Sequence, residues 1–348
     1  MTSTDPKRLL FVTTGLGSGG AETMLAQIVT RLQSESLRCT VASLASGGKY
    51  VDELRAAGVD VHDLGIKPGK PSILALWRLW KIASTLQPHA LIGWMYHGNL
   101  AATLVQRGTL RSVPLLWNIR QTLYSLDLEK RGSAFVIRLL ARLSKRRPQS
   151  IIYNSHLSAE QHEAIGYDDS KTQLVPNGFD TSRFQPNPEA RIQIRRELFL
   201  PEDAFLIGRI GRNAAMKDHA TALAAAASLC RNHPNVHFLF AGTGMTKDDP
   251  AFADFFKKQP GTQSQIHFLG ERHDLPRLTA ALDLAISTSA FGEGFPNVIG
   301  EAMASAIPVI ATDIGDTARV LDDPDQVVPP RNPQALVKSC EAHIHSSS

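Results

Sequence analysis

A chain of 348 residues exceeds what one ordinary hydrophobic core supports and suits two domains of about 150–180 residues each. With 43% hydrophobic and 20% charged residues it has the composition of a soluble globular enzyme, and no run approaches the roughly 18 apolar residues that crossing a bilayer requires. The net charge of +4 is uneven: residues 1–180 hold 21 Lys and Arg against 14 Asp and Glu, so the first half suits an anionic partner, yet nothing in it resembles a nucleic-acid module.

In chain order, Lys7 and Arg8 precede an apolar run, 9–12, that stops at Thr13 and is too short for a secretory signal. The first strand is expected over 8–13. It leads into TTGLGSGGAET, residues 13–23, where Gly15, Gly17 and Gly20 keep the G-x-G-x-x-G spacing of a dinucleotide-binding turn. That turn needs an acidic residue at the end of the second strand, roughly 20 positions on, to hold a ribose. The second strand, 39–44, runs instead into Ala45-Ser46-Gly47-Gly48, and Glu35 precedes it. NAD fails this test. The glycines remain as a tight turn, opening a helix, whose N–H groups let a phosphate or sugar approach.

Helices are expected over 22–33, 50–57 and 73–86, alternating with strands at 59–64, 90–94, 115–118 and 150–154. Such alternation predicts a parallel sheet with helices on both faces. LIGWMYHGNL places His97 just past the strand 90–94, where it faces a ligand or satisfies a carbonyl. FVIRLLARLSKRR, 135–147, sets Phe135, Leu139, Leu140 and Leu143 on one helical side and Arg138, Arg142 and Lys145 on another. A helix of this kind lies on an anionic membrane surface or packs conventionally with a basic solvent face; 73–86, with Trp77 and Trp80, adds to the surface in the first case.

VPNGFDTSRFQPNP, 175–188, has three prolines and an Asn-Gly pair and reads as the hinge between a domain at 1–177 and another at 178–348. The strand pattern then restarts at 206–211, 237–242, 265–269, 284–288 and 309–312. Two doubly wound halves place a cleft between them, facing the carboxyl ends of their strands. In IGRIGRNAAMKDH, 207–219, Arg212 offers a rigid fork of donors and Lys217 a compact charge, a pair suited to a diphosphate or to a structural salt bridge with Asp218. Gly242-Thr243-Gly244 adds a close backbone turn, with Gly244 facing the same cleft.

FGEGFPNVIGEAMASAIPVIATDIG, 291–315, separates Glu293 from Glu301 by seven residues. Asn297 is expected to cap a helix, leaving Glu293 in the loop and Glu301 in the opening turns. The N–H groups of Gly294, Phe295 and Asn297 then fall near the positive helix end, Pro296 shapes the loop, and each carboxylate suits a vicinal diol. Cys39, Cys230 and Cys340 are scattered and form neither a disulfide framework nor a zinc motif, which fits a reducing cytoplasm. Asp323-Pro324-Asp325 reads as a solvated turn and no metal clamp.

GGAE at 19–22, VPNGFDTSRF at 175–184, Arg212 followed by Lys217, and Glu293-GFPNVIG-Glu301 together resemble the retaining glycosyltransferases of family four, from about residue 8 to residue 340. The resemblance implies an α/β GT-B fold of two Rossmann-like doubly wound domains, with an acceptor on 1–177 and a nucleotide-sugar on 178–348. Glu301 would hold the ribose, Glu293 the transferred sugar with the amides of 294–297, Arg212 and Lys217 the diphosphate, and Gly19 and Gly20 would close over it. Many members have a histidine after the next strand, where this chain reads Trp117-Asn118-Ile119-Arg120. Asn118 and Arg120 are therefore acceptor-side candidates, and His97 is a catalytic candidate. Members often continue with a helix crossing back to the first domain, whereas this chain ends soon after a helix expected at 334–345. The expected activity is retaining transfer from a UDP-sugar to a saccharide or lipid-linked saccharide in glycan or polysaccharide biosynthesis, with neither metal nor other cofactor. The setting implied is cytoplasmic, peripheral on the inner face of the plasma membrane. An epimerase of the same fold and a non-catalytic UDP-sugar-binding protein are the alternatives.

Overall fold

The computed structural model describes residues 5–66, 72–108, 110–123, 126 and 129–346. The chain divides into two compact units, Met1–Asn177 and Gly178–Ser348. In the first, seven strands form one parallel sheet: β1 (Lys7–Thr13), β2 (Leu37–Ser43), β3 (Asp60–Asp63), β4 (Ala90–Trp94), β5 (Leu115–Ile119), β6 (Ser150–Tyr153) and β7 (Thr172–Leu174), in the order β3-β2-β1-β4-β5-β6-β7. Alternation decides which side chains meet which helices. Leu10 and Val12 of β1 point into one core with the helices Ile73–Leu86, Met95–Gln106 and Arg131–Ser144, while Phe11 points into another with Gly20–Leu32 and Val51–Ala56. A one-residue slip in register would exchange the two faces.

In the second unit β8 (Phe205–Ile210), β9 (Val236–Ala241), β10 (Ile266–Phe268), β11 (Leu284–Ser287), β12 (Val309–Thr312) and β13 (Val327–Val328) form a second parallel sheet in the order β10-β9-β8-β11-β12-β13. Phe238 and Phe240 of β9 are fully buried against the helix His219–Asn232, each such ring contributing about 1.5–3 kcal/mol by leaving water. Both units are Rossmann-like. In each the winding reverses once, between β1 and β4 and between β8 and β11, and the loops leaving those strand ends part to open a crevice.

Two expectations need correction. β7 and β13 are additional strands at the sheet edges, too short to show an alternating pattern. The helix expected over 135–147 spans Arg131–Ser144, and Phe135, assigned to its apolar side, is 66% exposed, because Ala134, Val136, Ile137, Leu140 and Ala141 make the buried stripe. The unit boundary lies within the segment 175–188: Asn177 bonds to Arg120 in the first unit, whereas Asn187 caps the helix Pro188–Glu197 in the second. Cys39, Cys230 and Cys340 are free thiols buried in the two cores. Among the described residues no helix is long and apolar enough to cross a membrane.

Candidate functional site

In the second unit Lys217 and Glu293 meet where β8 and β11 end. β8 runs into the loop 211–218, which is pressed against the loop after β9: a Cβ on Gly242 (φ +143) would meet the Gly211 carbonyl oxygen at 2.3 Å, and the Asn213 N–H donates to the Thr243 carbonyl at 2.8 Å. Gly244 (φ +79) completes that turn, with room for a Cβ only at 3.0 Å from Asn213. The 3-10 turn Ala215–Lys217 ends at Asp218, in the left-handed region at φ 45, whose carboxylate caps the helix His219–Asn232 by accepting from the Thr221 N–H at 3.2 Å and its hydroxyl at 2.6 Å. The Lys217 carbonyl accepts from Arg209 Nη2 at 2.6 Å and from Thr288 Oγ1 at 3.0 Å. The Lys217 carbonyl is thus held by two donors.

Its ammonium pairs with Glu293 in the loop after β11, and the Ser289 hydroxyl donates to the same carboxylate at 3.0 Å. Burial pushes the Glu293 carboxyl up, but Lys217, Ser289 and the charge of Arg209 outweigh it and hold the group below its ordinary range. A clamp behind the loop fixes its backbone. At Gly315 (φ +67) a Cβ would meet the carbonyl oxygens of Gly294 at 2.4 Å and Glu293 at 2.5 Å, and the Asp316 N–H donates to the Gly294 carbonyl at 3.1 Å.

The helix Asn297–Ala304 follows at once. Pro296, not Asn297, occupies its cap position, without a side-chain cap bond, and Asn297 is the first helical residue. Proline's φ of −66° suits the helix entry, and its missing N–H costs nothing at a terminus where intrahelical partners are absent anyway. Phe295 packs beside Phe179, the rings tilted with centroids 5.6 Å apart. The Phe179 ring lies where a side chain at Gly300 would stand, 2.1 Å from an added Cβ, so the opening segment of the unit seats on this helix. Glu301, one turn in, is 9% exposed; burial pushes its carboxyl up to about 7 against the charges of Arg183 and Lys217. Arg212 stands exposed on the loop, its carbonyl accepting from His219 Nε2 at 3.1 Å.

The structure therefore brings Lys217, Glu293 and Glu301 to one switch point, and adds a residue that sequence reasoning passed over. Arg209 is 1% exposed inside β8, and desolvation lowers its guanidinium to about 10. An arginine within the apolar run FLIGRI was the available signal. Gly211 makes room for it, since a Cβ there would lie 2.7 Å from Arg209 Nη1. Asp323 is a turn cap, its carboxylate accepting from the Asp325 N–H at 3.0 Å and from Gln326 Nε2 at 3.0 Å.

In the first unit the glycines flank the end of β1. Gly19 is the cap residue of the helix Gly20–Leu32, and an added Cβ would lie 2.3 Å from Glu22 Oε2, so the Glu22 carboxylate folds over the positive helix end. Gly17 would meet nothing within 4 Å, so the fold itself does not demand glycine there. His97 is exposed in the first turn of Met95–Gln106, and Gly98 beside it presses on β1, an added Cβ meeting the Val12 carbonyl oxygen at 2.2 Å. Asn118 and Arg120 are placed differently, at 3% and 8% exposure. Arg120 donates to Asn118 Oδ1 at 2.8 Å and Asn177 Oδ1 at 2.7 Å and lies 5.2 Å from the Trp94 ring, tying β5 to the connection 175–177.

A family model described as Glycosyltransferase Family 4 matches residues 18–183, and one described as Glycosyl transferases group 1 matches 203–346. A D-inositol 3-phosphate glycosyltransferase of Corynebacterium urealyticum is 33% identical over 159 residues, 43% of this chain and 37% of that protein. The lipopolysaccharide core biosynthesis mannosyltransferase LpsB of Rhizobium meliloti is 30% identical over 173 residues, 49% of this chain and 47% of its own length. The chain thus spans less than half the length of these relatives. Among solved structures, Anabaena HepE in complex with UDP and glucose superimposes with a TM-score of 0.84 at 21% identity, covering 97% of this chain and 90% of that one.

Proposed function

Because the chain is a GT-B glycosyltransferase of the family-four type, we propose that it moves a sugar from a nucleoside-diphosphate sugar, specifically a UDP-sugar, to a saccharide or lipid-linked saccharide acceptor in glycan or polysaccharide biosynthesis, with retention at the anomeric carbon. The observation that carries this reading is the Lys217–Glu293 pair beside buried Glu301 at the β8–β11 switch point. The UDP and glucose in HepE and the core-saccharide role of LpsB favour such a donor and acceptor.

The difficult event is rupture of the bond between the anomeric carbon and the diphosphate, which leaves negative charge on phosphate oxygens and positive charge on the ring. Lys217 and Arg212 would take the first. Glu293, with the amides of Gly294 to Asn297, would orient the transferred sugar, and Glu301 the ribose diol. The acceptor oxygen would bond to the anomeric carbon on the face the diphosphate leaves as the C–O bond to that diphosphate breaks, giving its proton to the departing phosphate oxygen, so no covalent enzyme intermediate is required. His97, exposed beside the β1–β4 crevice, is the first-unit residue assigned to the sugar or acceptor.

The partner surface is an anionic membrane. The three helices Ile73–Leu86, Met95–Gln106 and Arg131–Ser144 share one face of the first sheet and expose Ile73, Trp77, Trp80, Leu104 and Phe135. Arg138, Arg142, Lys145, Arg146 and Arg147 border a groove of about 680 Å³ at the end of the last helix, the complement of phosphate headgroups.

Thermal shifts with UDP, GDP and ADP, followed by turnover of the matching sugars with saccharide acceptors, test the reading. A shift with UDP and a glycoside of the donor's anomeric configuration are expected. Release of a free or epimerised sugar without any dependence on acceptor, or binding with no turnover at all, would replace it.

A further inference from the structure

Lys217 has one ammonium group and two claims on it. In the structure it serves Glu293. A diphosphate held over the same loop carries at least two negative charges and competes for it. A mostly buried carboxylate left behind would then bear the desolvation penalty of its charge alone and take up a proton, unless another cation stays.

Arg209 is placed to stay. Its Nη2 donates to the Lys217 carbonyl at 2.6 Å, while Nε and Nη1 are buried with no hydrogen-bond partner. Its neighbours along β8 on that face, Phe205 and Ile207, belong to the core, so packing gives no reason for a charge here. Burying a guanidinium with donors unfilled is unfavourable, and its field acts on Glu293 and Asp218. We propose that Arg209 is a positioning residue, the permanent counter-charge that keeps Glu293 ionised when Lys217 turns to the donor's diphosphate, and that its bond to the Lys217 carbonyl steadies the turn from which that side chain swings. This rests on the donor reading above and specifies how the site stays in charge balance.

Among the described residues, the charged groups that act at this site come from several elements, with Arg183 acting on Glu301. Lys217 and Asp218 come from the loop, His219 from the following helix, Arg209 from β8 and Glu301 from the helix Asn297–Ala304. Asp218 is held by Thr221, and His219, lowered to about 4, is neutral at pH 6. Burial pushes the Glu301 carboxyl up to about 7, so at pH 6 it is largely protonated before nucleotide binds.

Calorimetry of UDP binding at pH 6, in buffers of different ionisation enthalpy, counts protons taken up per nucleotide. Wild type, Arg209→Lys and Glu293→Gln should take up the same number. Arg209→Gln should take up about one more, and that excess should vanish in Arg209→Gln/Glu293→Gln. Arg209→Gln matching wild type would overturn the proposal, because a structural strut would leave the count unmoved. So would a wild type exceeding Glu293→Gln by a proton, a comparison that stands even where Arg209→Gln fails to fold. Absence of any heat from wild type with UDP, GDP and ADP would instead defeat the donor reading itself, and this inference with it.

Discussion

Lys217 and Arg212 lie five residues apart on one loop, but one is 15% exposed and paired while the other faces solvent. Their alanine variants should separate accordingly. Each is expected to lose about 10²–10³-fold in turnover, the usual effect of removing one donor aimed at a developing anion. Lys217→Ala should also melt earlier, by about 1 kcal/mol of stability, because Glu293 loses its bonded partner and keeps only the Ser289 hydroxyl and the field of Arg209. Arg212→Ala should melt as wild type does. Since these cations are assigned the charge a metal would otherwise bring, excess chelator should leave turnover unchanged. Near-normal rates in both variants, or chelator inhibition relieved by added metal, would remove the assignment. Glu293, Glu301 and Lys217 were legible in the sequence because an acid pair split by Gly-Phe-Pro-Asn marks a loop entering a helix. Arg209 was not, because its role depends on which face of β8 it takes and on what lies across from it. Asn297 misled for a related reason: asparagine favours cap positions, but Pro296, unable to continue a helix backwards, took the place.

Among elements, the three helices on one face of the first sheet show how tertiary context revises an amphipathic pattern. Leu140 and Ile137 are buried as the 3.6-residue period requires, yet Phe135 turns outward beside Arg131 and Arg138. That outward aromatic, with Trp77 and Trp80, is what a lipid surface would accept. Co-sedimentation with vesicles containing phosphatidylglycerol should therefore be strong at low salt and weaken as salt rises, with each basic side chain near the headgroups worth about 1 kcal/mol. Replacing Arg138, Arg142 and Lys145 together by Gln should abolish it without altering the melting temperature, and indifference of wild type to such vesicles would end the membrane reading. Central strands such as β1 and β9 announced themselves as apolar runs flanked by glycine. β7 and β13 pair only at a sheet edge over three and two residues, and their pairing is imposed by β6 and β12 rather than by any pattern of their own.

At the scale of the molecule, pH acts on both units through buried imidazoles. Desolvation lowers His162 in the first unit and His219 and His267 in the second to about 4 each, against about 6.5 in an unfolded chain. The unfolded chain therefore binds protons first, and stability, complete above pH 6.5, should fall as pH drops through the window down to 4 and lose nothing further from these groups below it. Melting temperatures measured across that window check this, and a flat profile from 6.5 to 4.5 would refute it. Arg120 grasps Asn177 for one core, whereas Phe179 rests on Gly300 in the other, so a boundary at Gly178 leaves both contacts whole. A gene exchange between two such enzymes leaves both halves intact when the crossover falls at that glycine. A cut one position earlier hands Arg120 a foreign neighbour, and one just after Phe179 fills the Gly300 seat with a stranger's aromatic, so recombination has one clean joint for trading the two halves.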